Sequence, residues 1–534
     1  MGTPSDPQTL PSSVEETAVS ARKRPIAPED LSVVLGYYVE ATYGESLRSA
    51  LPEAGKKEVS QRIAHLLHHE IRIALNGRLT LAAGVDLDEL LSDPVYRARL
   101  GEVICERLIG GADAPSLRIA PKPLDRSEAD LLLKDGVRFG LIFGAEALYF
   151  QDTVQAFQTD DIRSRLEGEG SISSESSQER EEALSPLSPA VHVLGVHADW
   201  RTNEGKSAKR ALMLDDTGAV VERSFEHPVV LDLVATLHLP RADEQAMHCR
   251  LSELFHRTSM LQINPYETSR RADDKACTHG FWEGRVSTVW AVRIPGLSSE
   301  RAICDALERV PDRTRRIVVQ PNSGTEGDRV AVFEAMASQE IAAYIRDRIG
   351  PDAQALIREE RGNVRYCQEP EKGYRRIVFR INVAWNGRAF VGESGYAQVA
   401  QDEGHFVASR GQGGALVPIG TALAHLYRTT EDGWRPWVPA EADLACMRQT
   451  AVRAAQALNE GLAESDYLKL LGIDLLLEAD YVGRLTPLAL EANPRPAGLA
   501  QSWEWPNVVG AKLAPKVTFE LFDYIRRQGS AGRD

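Results

Sequence analysis

Two leucine-rich apolar runs near the C-terminus, at 472–478 and 487–493, form the clearest hydrophobic pattern in the chain. A polar bend containing Gly483 separates them, so the pattern predicts a buried β-hairpin. Oxygen-bearing side chains interrupt both runs, at Asp474, Glu491 and Asn493. Burying such groups without partners is costly, and three hard-oxygen ligands suit Mg²⁺ held beside a polyphosphate. The alternative is that Asp474 only ends a strand and that Asn493 begins an ordinary turn.

Upstream of this hairpin, the apolar pattern changes twice. Helical periodicity follows Asp30 and recurs at 59–75 and 86–108, whereas strand-like runs begin after Pro189, with a further helix expected at 243–255. The Glu- and Ser-rich segment between them is typical of a flexible linker. The predicted divisions are a disordered tail (1–28), a mainly helical N-terminal region (29–164), an acidic Ser/Glu linker (165–188), a small α/β domain (189–270), a larger α/β domain (271–525) and a C-terminal tail (526–534).

Composition narrows the class of protein. The 534 residues are 43% hydrophobic and 26% charged, which is ordinary for a soluble globular protein, and the net charge of −15 argues against binding to nucleic acid or to anionic membranes. No apolar run approaches the roughly 20 residues that span a bilayer, and the first residues lack the apolar core of a signal peptide. The six cysteines are scattered without a C-x-x-C pair, which favours reduced thiols. We therefore expect a cytoplasmic protein.

Two segments before the hairpin have features of a phosphate site. Lys275 opens a predicted helix, where a cation adds to the attraction of a helix N-terminus for anions. The segment 315–333 has the pattern strand, Gly/Ser loop, strand, and its loop contains Ser323, Gly324 and Gly327. Backbone N–H groups of such a loop approach phosphate oxygens closely. Each feature has an ordinary alternative, namely an exposed helical lysine and a plain hairpin turn.

Two predicted strands also carry charged side chains. The apolar run at 355–358 ends in Glu359 and Glu360, which are suited to bind an adenine amine and a ribose hydroxyl. Arg380 lies inside the alternating run 377–385, where a buried cation needs a carboxylate or a phosphate, unless it faces solvent.

The order of these elements, ending in Leu490-Glu491-Ala492-Asn493-Pro494-Arg495-Pro496, resembles that of the ATP-grasp superfamily over about residues 190–525. The resemblance implies an ATP-grasp fold for 271–525, preceded by a small α/β domain. It also implies roles for particular residues. Asp474, Glu491 and Asn493 are the expected Mg²⁺ ligands, with Mn²⁺ as an alternative metal, and Arg380 and Arg495 are the expected catalytic cations. The expected ATP contacts are Lys275, Gln320, Ser323, Gly324, Gly327, Glu359 and Glu360.

One position departs from the family pattern. The strand before the glycine-rich loop usually presents a lysine to the phosphates, and this chain has Gln320 there. Because glutamine supplies no charge, either an arginine compensates for it or nucleotide binding is weakened. The arginines expected to compensate are Arg315, Arg316 and Arg329.

The resemblance implies an ATP- and Mg²⁺-dependent carboxylate–amine ligase that acts on small molecules through an acyl-phosphate. Two alternatives remain, a small-molecule kinase of the same fold and a nucleotide-binding protein that has lost activity, the latter suggested by Gln320. The sequence does not name the acid or the amine. The N-terminal helical region is a candidate for substrate selection, partner binding or homodimer formation.

Overall fold

The computed structural model describes residues 123–143, 150–170, 189–197, 200–202, 204–215, 217–237, 260–296, 298–324, 327, 329–351, 353–409, 412–496 and 498–531. The helices predicted after Asp30, at 59–75, at 86–108 and at 243–255 lie outside these residues. No helix in the described part of the chain is long and apolar enough to cross a membrane.

The α-helices of the described residues are α1 (Arg126–Leu132), α2 (Phe150–Gly170), α3 (Tyr266–Asp273), α4 (Lys275–Trp282), α5 (Glu300–Leu307), α6 (Ser338–Tyr344), α7 (Ile419–Ala424), α8 (Glu441–Asn459) and α9 (Glu520–Ala531). A π-helical turn (Ile345–Ile349) follows α6, and short 3₁₀ turns occupy Pro370–Lys372, Glu464–Asp466 and Leu499–Gln501.

The strands are β1 (Gly136–Phe143), β2 (Ala190–His197), β3 (Ser207–Leu214), β4 (Val220–Val230), β5 (Leu233–Thr236), β6 (Leu261–Ile263), β7 (Ala291–Pro295), β8 (Arg316–Pro321), β9 (Ala331–Glu334), β10 (Gln354–Glu359), β11 (Val364–Tyr366), β12 (Arg375–Trp385), β13 (Phe390–Val399), β14 (Ala415–Pro418), β15 (Leu426–Thr430), β16 (Gly433–Pro436), β17 (Leu470–Ala479), β18 (Leu485–Asn493) and β19 (Trp503–Glu504). Helices and several sheets are combined, which confirms the mixed α/β fold class.

The chain divides into two compact units, and all the elements discussed below belong to the unit formed by Arg126–Gly144, Phe150–Ala219 and His227–Asp534. Its first sheet has β1 at the centre, paired in parallel with β2 on one side and β5 on the other. The apolar run of β1 is buried along nearly its whole length, as expected for a parallel strand covered on both faces. Phe157 of α2 is fully buried and packs against Phe139 of β1.

This sheet joins residues on both sides of the predicted linker. The parallel register of β1 and β2 runs from Gly136 opposite Ala190 to Phe143 opposite His197. Helix α2 also continues to Gly170, which lies inside the predicted linker of 165–188. The physical reason is that parallel strands need a long crossover between them, and low-complexity sequence can form part of that crossover.

The second sheet is antiparallel with the strand order β7-β10-β8-β9. Side chains alternate between its faces, and one face forms an apolar core with α5 and α6 through Ile317, Val319 and Ile357. The opposite face therefore carries the intervening positions of β8 and β10, including Gln320 and Arg358. This alternation decides which polar side chains of the sheet face away from the helices.

The third sheet contains the predicted acidic hairpin. Strand β12 lies between β13 and β17, and β17 pairs with β18 in the antiparallel sense. Helix α8 contributes small buried residues such as Ala451 and Ala454 to the core beneath this sheet. The bend between β17 and β18 is closed by Asp480, whose Oδ1 accepts hydrogen bonds from the backbone N–H groups of Val482 and Arg484. The predicted β-hairpin is thus present, with both strands largely buried.

Candidate functional site

The register of the hairpin brings the three predicted metal ligands together. Asp474 lies directly opposite Glu491, and Gly472 lies opposite Asn493. Asp474 is buried, whereas the Glu491 side chain keeps 26% of its surface exposed. The amide nitrogen of Asn493 lies 3.4 Å from Oδ2 of Asp474. The hairpin therefore presents two carboxylates and one amide within a short stretch of paired strands.

Arg380 on β12 is bound to this group through Asp474. Its Nε and Nη2 atoms donate to the two carboxylate oxygens of Asp474 at 2.7 and 2.8 Å, and its Nη1 donates to the Tyr396 hydroxyl at 3.1 Å. A side chain at Gly472 would place a Cβ atom 3.0 Å from Cδ of Arg380, so glycine leaves room for the arginine to lie across β17. Arg380 is thus a buried partner of a carboxylate and does not face solvent.

Burial and the charge of the partner shift the pKa of each member of this pair in opposite directions. Burial by itself lowers the pKa of Arg380, but Asp474, Tyr396 and Glu491 more than offset it, so the pKa of Arg380 lies above its usual range. Burial also raises the pKa of the Asp474 carboxyl, with Arg380 and Asn493 opposing the shift and Glu491 adding to it. The bidentate geometry is the strongest form of an arginine–carboxylate contact, and it keeps Arg380 charged.

Lys275 connects the hairpin to the glycine-rich loop. Asp274 caps the N-terminus of α4 by accepting a hydrogen bond from the Cys277 N–H, and this fixes Lys275 as the first residue of the helix. The largely buried Nζ atom donates to the Gly324 carbonyl at 2.7 Å and lies 3.6 Å from Oε1 of Glu491. The lysine is therefore buried at the site, in contrast to the alternative of an exposed helical residue.

The start of the glycine-rich loop is held against α4. The Asn322 side chain accepts a hydrogen bond from the Ala276 N–H at 2.8 Å, whereas Ser323 and Gly324 are exposed. Gly327 has a φ of 72°, and a Cβ atom there would lie 2.3 Å from Val407, so this position requires glycine. The exposed Gly324 thus contacts Lys275 through its carbonyl oxygen.

The two neighbouring carboxylates Glu359, the last residue of β10, and Glu360 form ion pairs with arginines. Glu359 is almost fully buried and accepts from the Trp290 N–H at 2.9 Å, from Arg361 at 3.0 Å and from Arg313 at 3.2 Å. Glu360 forms ion pairs as well, and its partners are Arg376 and Arg316. Among the described residues, no hydrogen bond or ion pair joins either carboxylate to Lys275 or Glu491.

The last predicted cation, Arg495, is also paired. Its Nη2 atom lies 2.5 Å from both carboxylate oxygens of Asp273, the residue that ends α3 just before the cap of α4. Nearby, the Asn264 side chain donates to the Pro494 carbonyl at 2.5 Å. These contacts attach the segment after β18 to the end of α3 and to the residue that follows β6.

Two further residues of the site, Arg358 and His279, were missed by the sequence interpretation. Arg358 lies on β10, 8% exposed, and burial lowers its pKa to about 10 against the opposing effect of Glu491. A cation inside an apolar strand is the signal that identified Arg380, and the same signal was available for Arg358. His279 is one helical turn after Lys275 on α4, and the spacing of four residues could have suggested it.

His279 is a buried, neutral imidazole. The Thr288 hydroxyl donates to the Ala489 carbonyl at 2.7 Å, so the Nδ1–H of His279 donates to that hydroxyl at 3.1 Å and leaves Nε2 as an acceptor. Burial, with smaller contributions from Arg358 and Lys275, lowers the pKa of His279 to about 3.

The donor set of the hairpin fits a hard divalent cation. No group of three or more His, Cys, Asp or Glu side chains among the described residues is arranged to hold a metal, so Asn493 would have to act as a ligand beside the two carboxylates. A carboxylate has about four lone-pair directions, so the bonds from Arg380 leave Asp474 with the capacity to bind a cation. Carboxylate and amide oxygens are the ligands that Mg²⁺ takes beside phosphates.

No protein-family model matches the chain, and no curated protein matches it. Solved structures do match. D-cycloserine synthetase DcsG is 14% identical, with 73% of this chain and 99% of that chain covered at a TM-score of 0.40. The VanG D-Ala:D-Ser ligase from Enterococcus faecalis is 12% identical, with 74% and 99% covered at a TM-score of 0.41. PsnB, in complex with a minimal precursor, Mg and ADP, is 12% identical, with 73% and 98% covered at a TM-score of 0.35.

PsnB is an ATP-grasp ligase. This is the superfamily that the order of motifs in the sequence resembles.

Proposed function

We propose that the chain is an ATP- and Mg²⁺-dependent ligase that joins a small carboxylate to an amine through an acyl-phosphate. The observation that carries the proposal is the position of Lys275, whose Nζ contacts the Gly324 carbonyl and lies 3.6 Å from Glu491. One cation thus borders both the glycine-rich loop and the acidic hairpin. A polyphosphate bound along the loop would have its charge met by the lysine, and a metal on Glu491 would lie beside it.

In this proposal the nucleotide phosphates lie between Lys275 and the exposed backbone of Ser323 and Gly324, with Gly327 allowing the loop to turn. Asp474, Glu491 and Asn493 would hold Mg²⁺, with Mn²⁺ as a substitute. The bound metal supplies charge neutralisation for the phosphates. Little covalent chemistry is required of the protein, because phosphoryl transfer depends mainly on positioning and electrostatic stabilisation.

The reaction has two steps. An oxygen of the substrate carboxylate attacks the γ-phosphorus atom of ATP, the bond to the bridging oxygen of ADP breaks, and ADP leaves. The amine nitrogen then attacks the acyl carbon, phosphate leaves with the carbon–oxygen electron pair, and the amine loses a proton to give the amide. Exclusion of water protects the acyl-phosphate between the steps.

Arg380 and Arg495 act as positioning residues in this proposal. Arg380 orients Asp474 through its two bonds, and Arg495 orients the end of α3 through Asp273, one residue before the cap of the helix that begins at Lys275. Glu360 is the more accessible of the two candidates for the adenosine contact, because its side chain is 14% exposed compared with 1% for Glu359.

The test is a screen of amino acids and small acids, with and without amines, for ADP release in the presence of Mg²⁺. The proposal predicts ADP and an amide in equal amounts, both dependent on the acid and the amine. ADP release that needs no amine and gives a stable phosphorylated product would instead identify a kinase. Tight ATP binding without turnover on any substrate would identify a protein that has lost activity.

A further inference from the structure

Two buried side-chain nitrogen atoms of the described residues lack a hydrogen-bond partner, and both belong to residues on the same face of the second sheet. Among the described residues, neither Nε2 of Gln320 nor Nη1 of Arg358 has a hydrogen-bond partner, and the two side chains are 4% and 8% exposed. In the antiparallel register, Gln320 lies opposite Leu356 and Val318 lies opposite Arg358. Paired residues and residues two apart share a face, so both side chains project away from the core that the sheet shares with α5 and α6.

The charges around Arg358 do not balance. Lys275 and Glu491 are close enough for ion pairing, and the charge of Glu491 also acts on Arg358. Arg376 is a further cation near Arg358, but Glu360 is its partner. One carboxylate, Glu491, is thus shared by two buried cations, Lys275 and Arg358.

A buried charged group without a full set of hydrogen-bond partners costs free energy. We therefore infer that a ligand supplies the missing partner of Arg358. The missing partner is an anion. It must reach the face of β8 and β10 that carries Gln320 and Arg358, and it must lie near Lys275.

We propose that Arg358 is the second phosphate-binding cation of the nucleotide site and that Gln320 donates an uncharged hydrogen bond to the same phosphate group. The proposal rests on the proposed function and deepens it. Arg358 supplies the charge that Gln320 lacks, for which Arg315, Arg316 and Arg329 were the candidates in the sequence. Of these, Arg316 pairs with Glu360, and Arg329 donates to the Ile349 carbonyl.

The experiment measures the binding of ADP and of adenosine by isothermal titration to the full chain. Loss of a charge-assisted hydrogen bond weakens ADP binding of Arg358→Ala by roughly 10- to 100-fold, while adenosine binding changes less than about threefold. Arg358→Lys retains a positive charge, so we expect it to lose less ADP affinity than Arg358→Ala. Arg348→Ala is the matched control, because Arg348 is an exposed arginine on the π-helical turn at the opposite, helix-covered side of the same sheet.

A rescue variant separates a phosphate contact from a structural role. Adding Gln320→Lys to Arg358→Ala places a cation on the same face of the neighbouring strand, and we expect it to recover at least about tenfold of the lost ADP affinity. Equal weakening of ADP and adenosine binding, or no recovery in the double variant, would overturn the proposal.

ADP binding by Arg358→Ala, combined with product analysis of the wild-type protein, distinguishes this proposal from the proposed function. ADP binding that depends on Arg358, without amide formation on any substrate, would support the phosphate contact and contradict the ligase. Amide formation together with full ADP affinity in Arg358→Ala would contradict the phosphate contact and support the ligase.

Discussion

Arg380 and Asp474 form a two-bond ion pair across β12 and β17, with nitrogen–oxygen distances of 2.7 and 2.8 Å. Both side chains are at least nine-tenths buried. The pair therefore joins a predicted catalytic cation, Arg380, directly to a predicted metal ligand, Asp474.

Removing only one member of the Arg380–Asp474 pair is expected to lower the free energy of unfolding. Arg380→Met leaves the Asp474 carboxylate buried without its cation, and the free energy of unfolding falls by about 3–5 kcal/mol. In Arg380→Met/Asp474→Leu no buried charge is left at either position, so the loss is smaller. Urea unfolding measures both variants. Arg435→Ala, which breaks an exposed pair with Asp432, is the control and changes stability by less than about 1 kcal/mol. A double variant as unstable as the single one would contradict this account.

We expect Lys275 to stabilise mainly the negative charge of the ATP phosphates. Lys275→Met removes the positive charge beside the glycine-rich loop, and kcat/KM for ATP falls on the order of 100-fold. Steady-state kinetics with the best acid and amine measure the effect, and Lys372→Met, at a half-exposed lysine paired with Glu369, is the control. A loss of less than threefold would exclude Lys275 from the phosphate site.

Glu491 is expected to dominate metal binding, because it is the more exposed of the two carboxylates. Glu491→Gln removes the charge of this side chain, and we expect the Mn²⁺ affinity to fall by roughly 10- to 100-fold. This is at least the loss caused by mutating a residue that only supports a metal ligand. Electron paramagnetic resonance with ADP present measures the affinity. Glu441→Gln, at the exposed start of α8, serves as the control. Unchanged Mn²⁺ binding in Glu491→Gln would place the metal elsewhere.

His279 is expected to make the protein sensitive to acid. Burial lowers the pKa of His279 from 6.5 to about 3, so between these values the unfolded chain binds a proton that the folded protein does not. The free energy of unfolding therefore falls as the pH falls through this range, by up to about 1.4 kcal/mol per pH unit from this one group.

The His279→Gln variant lacks this contribution, so its stability falls less steeply with decreasing pH. Urea unfolding between pH 6.5 and 4 measures the difference. His405→Gln replaces a half-exposed histidine and is the control. Parallel pH profiles for wild type and His279→Gln would contradict the assignment of a neutral, buried imidazole.

Local signals predicted much of the site. The hairpin of β17 and β18 follows from two apolar runs and a polar bend, and the helix that begins at Lys275 was also predicted from the sequence. The loop between β8 and β9 follows from its glycines. Each of these features depends on residues close together in sequence.

Long-range contacts could not be predicted in this way. Arg380 and Asp474 are 94 positions apart, and Arg495 and Asp273 are 222 positions apart, so no spacing rule joins them. The pairing of β1 with β2 across the predicted linker has no turn signature either, because parallel strands are connected by long crossovers.

The Nη1 atom of Arg358, which has no hydrogen-bond partner among the described residues, is a second feature that the sequence could not predict. The charge of Arg358 is visible in the sequence, but whether Nη1 finds a partner depends on the register of β8 and β10. Composition and pattern place the residue on a strand, and only the packed structure places it near Lys275.

The most direct test of the proposed ligase reaction is the stoichiometry of ADP and amide formed by the wild-type protein with Mg²⁺, an acid and an amine, with Glu491→Gln as the matched variant. We expect one ADP per amide, no ADP above background when the acid is omitted, and loss of both products in Glu491→Gln. ADP release that proceeds equally without acid or amine, or that is unchanged in Glu491→Gln, would contradict it.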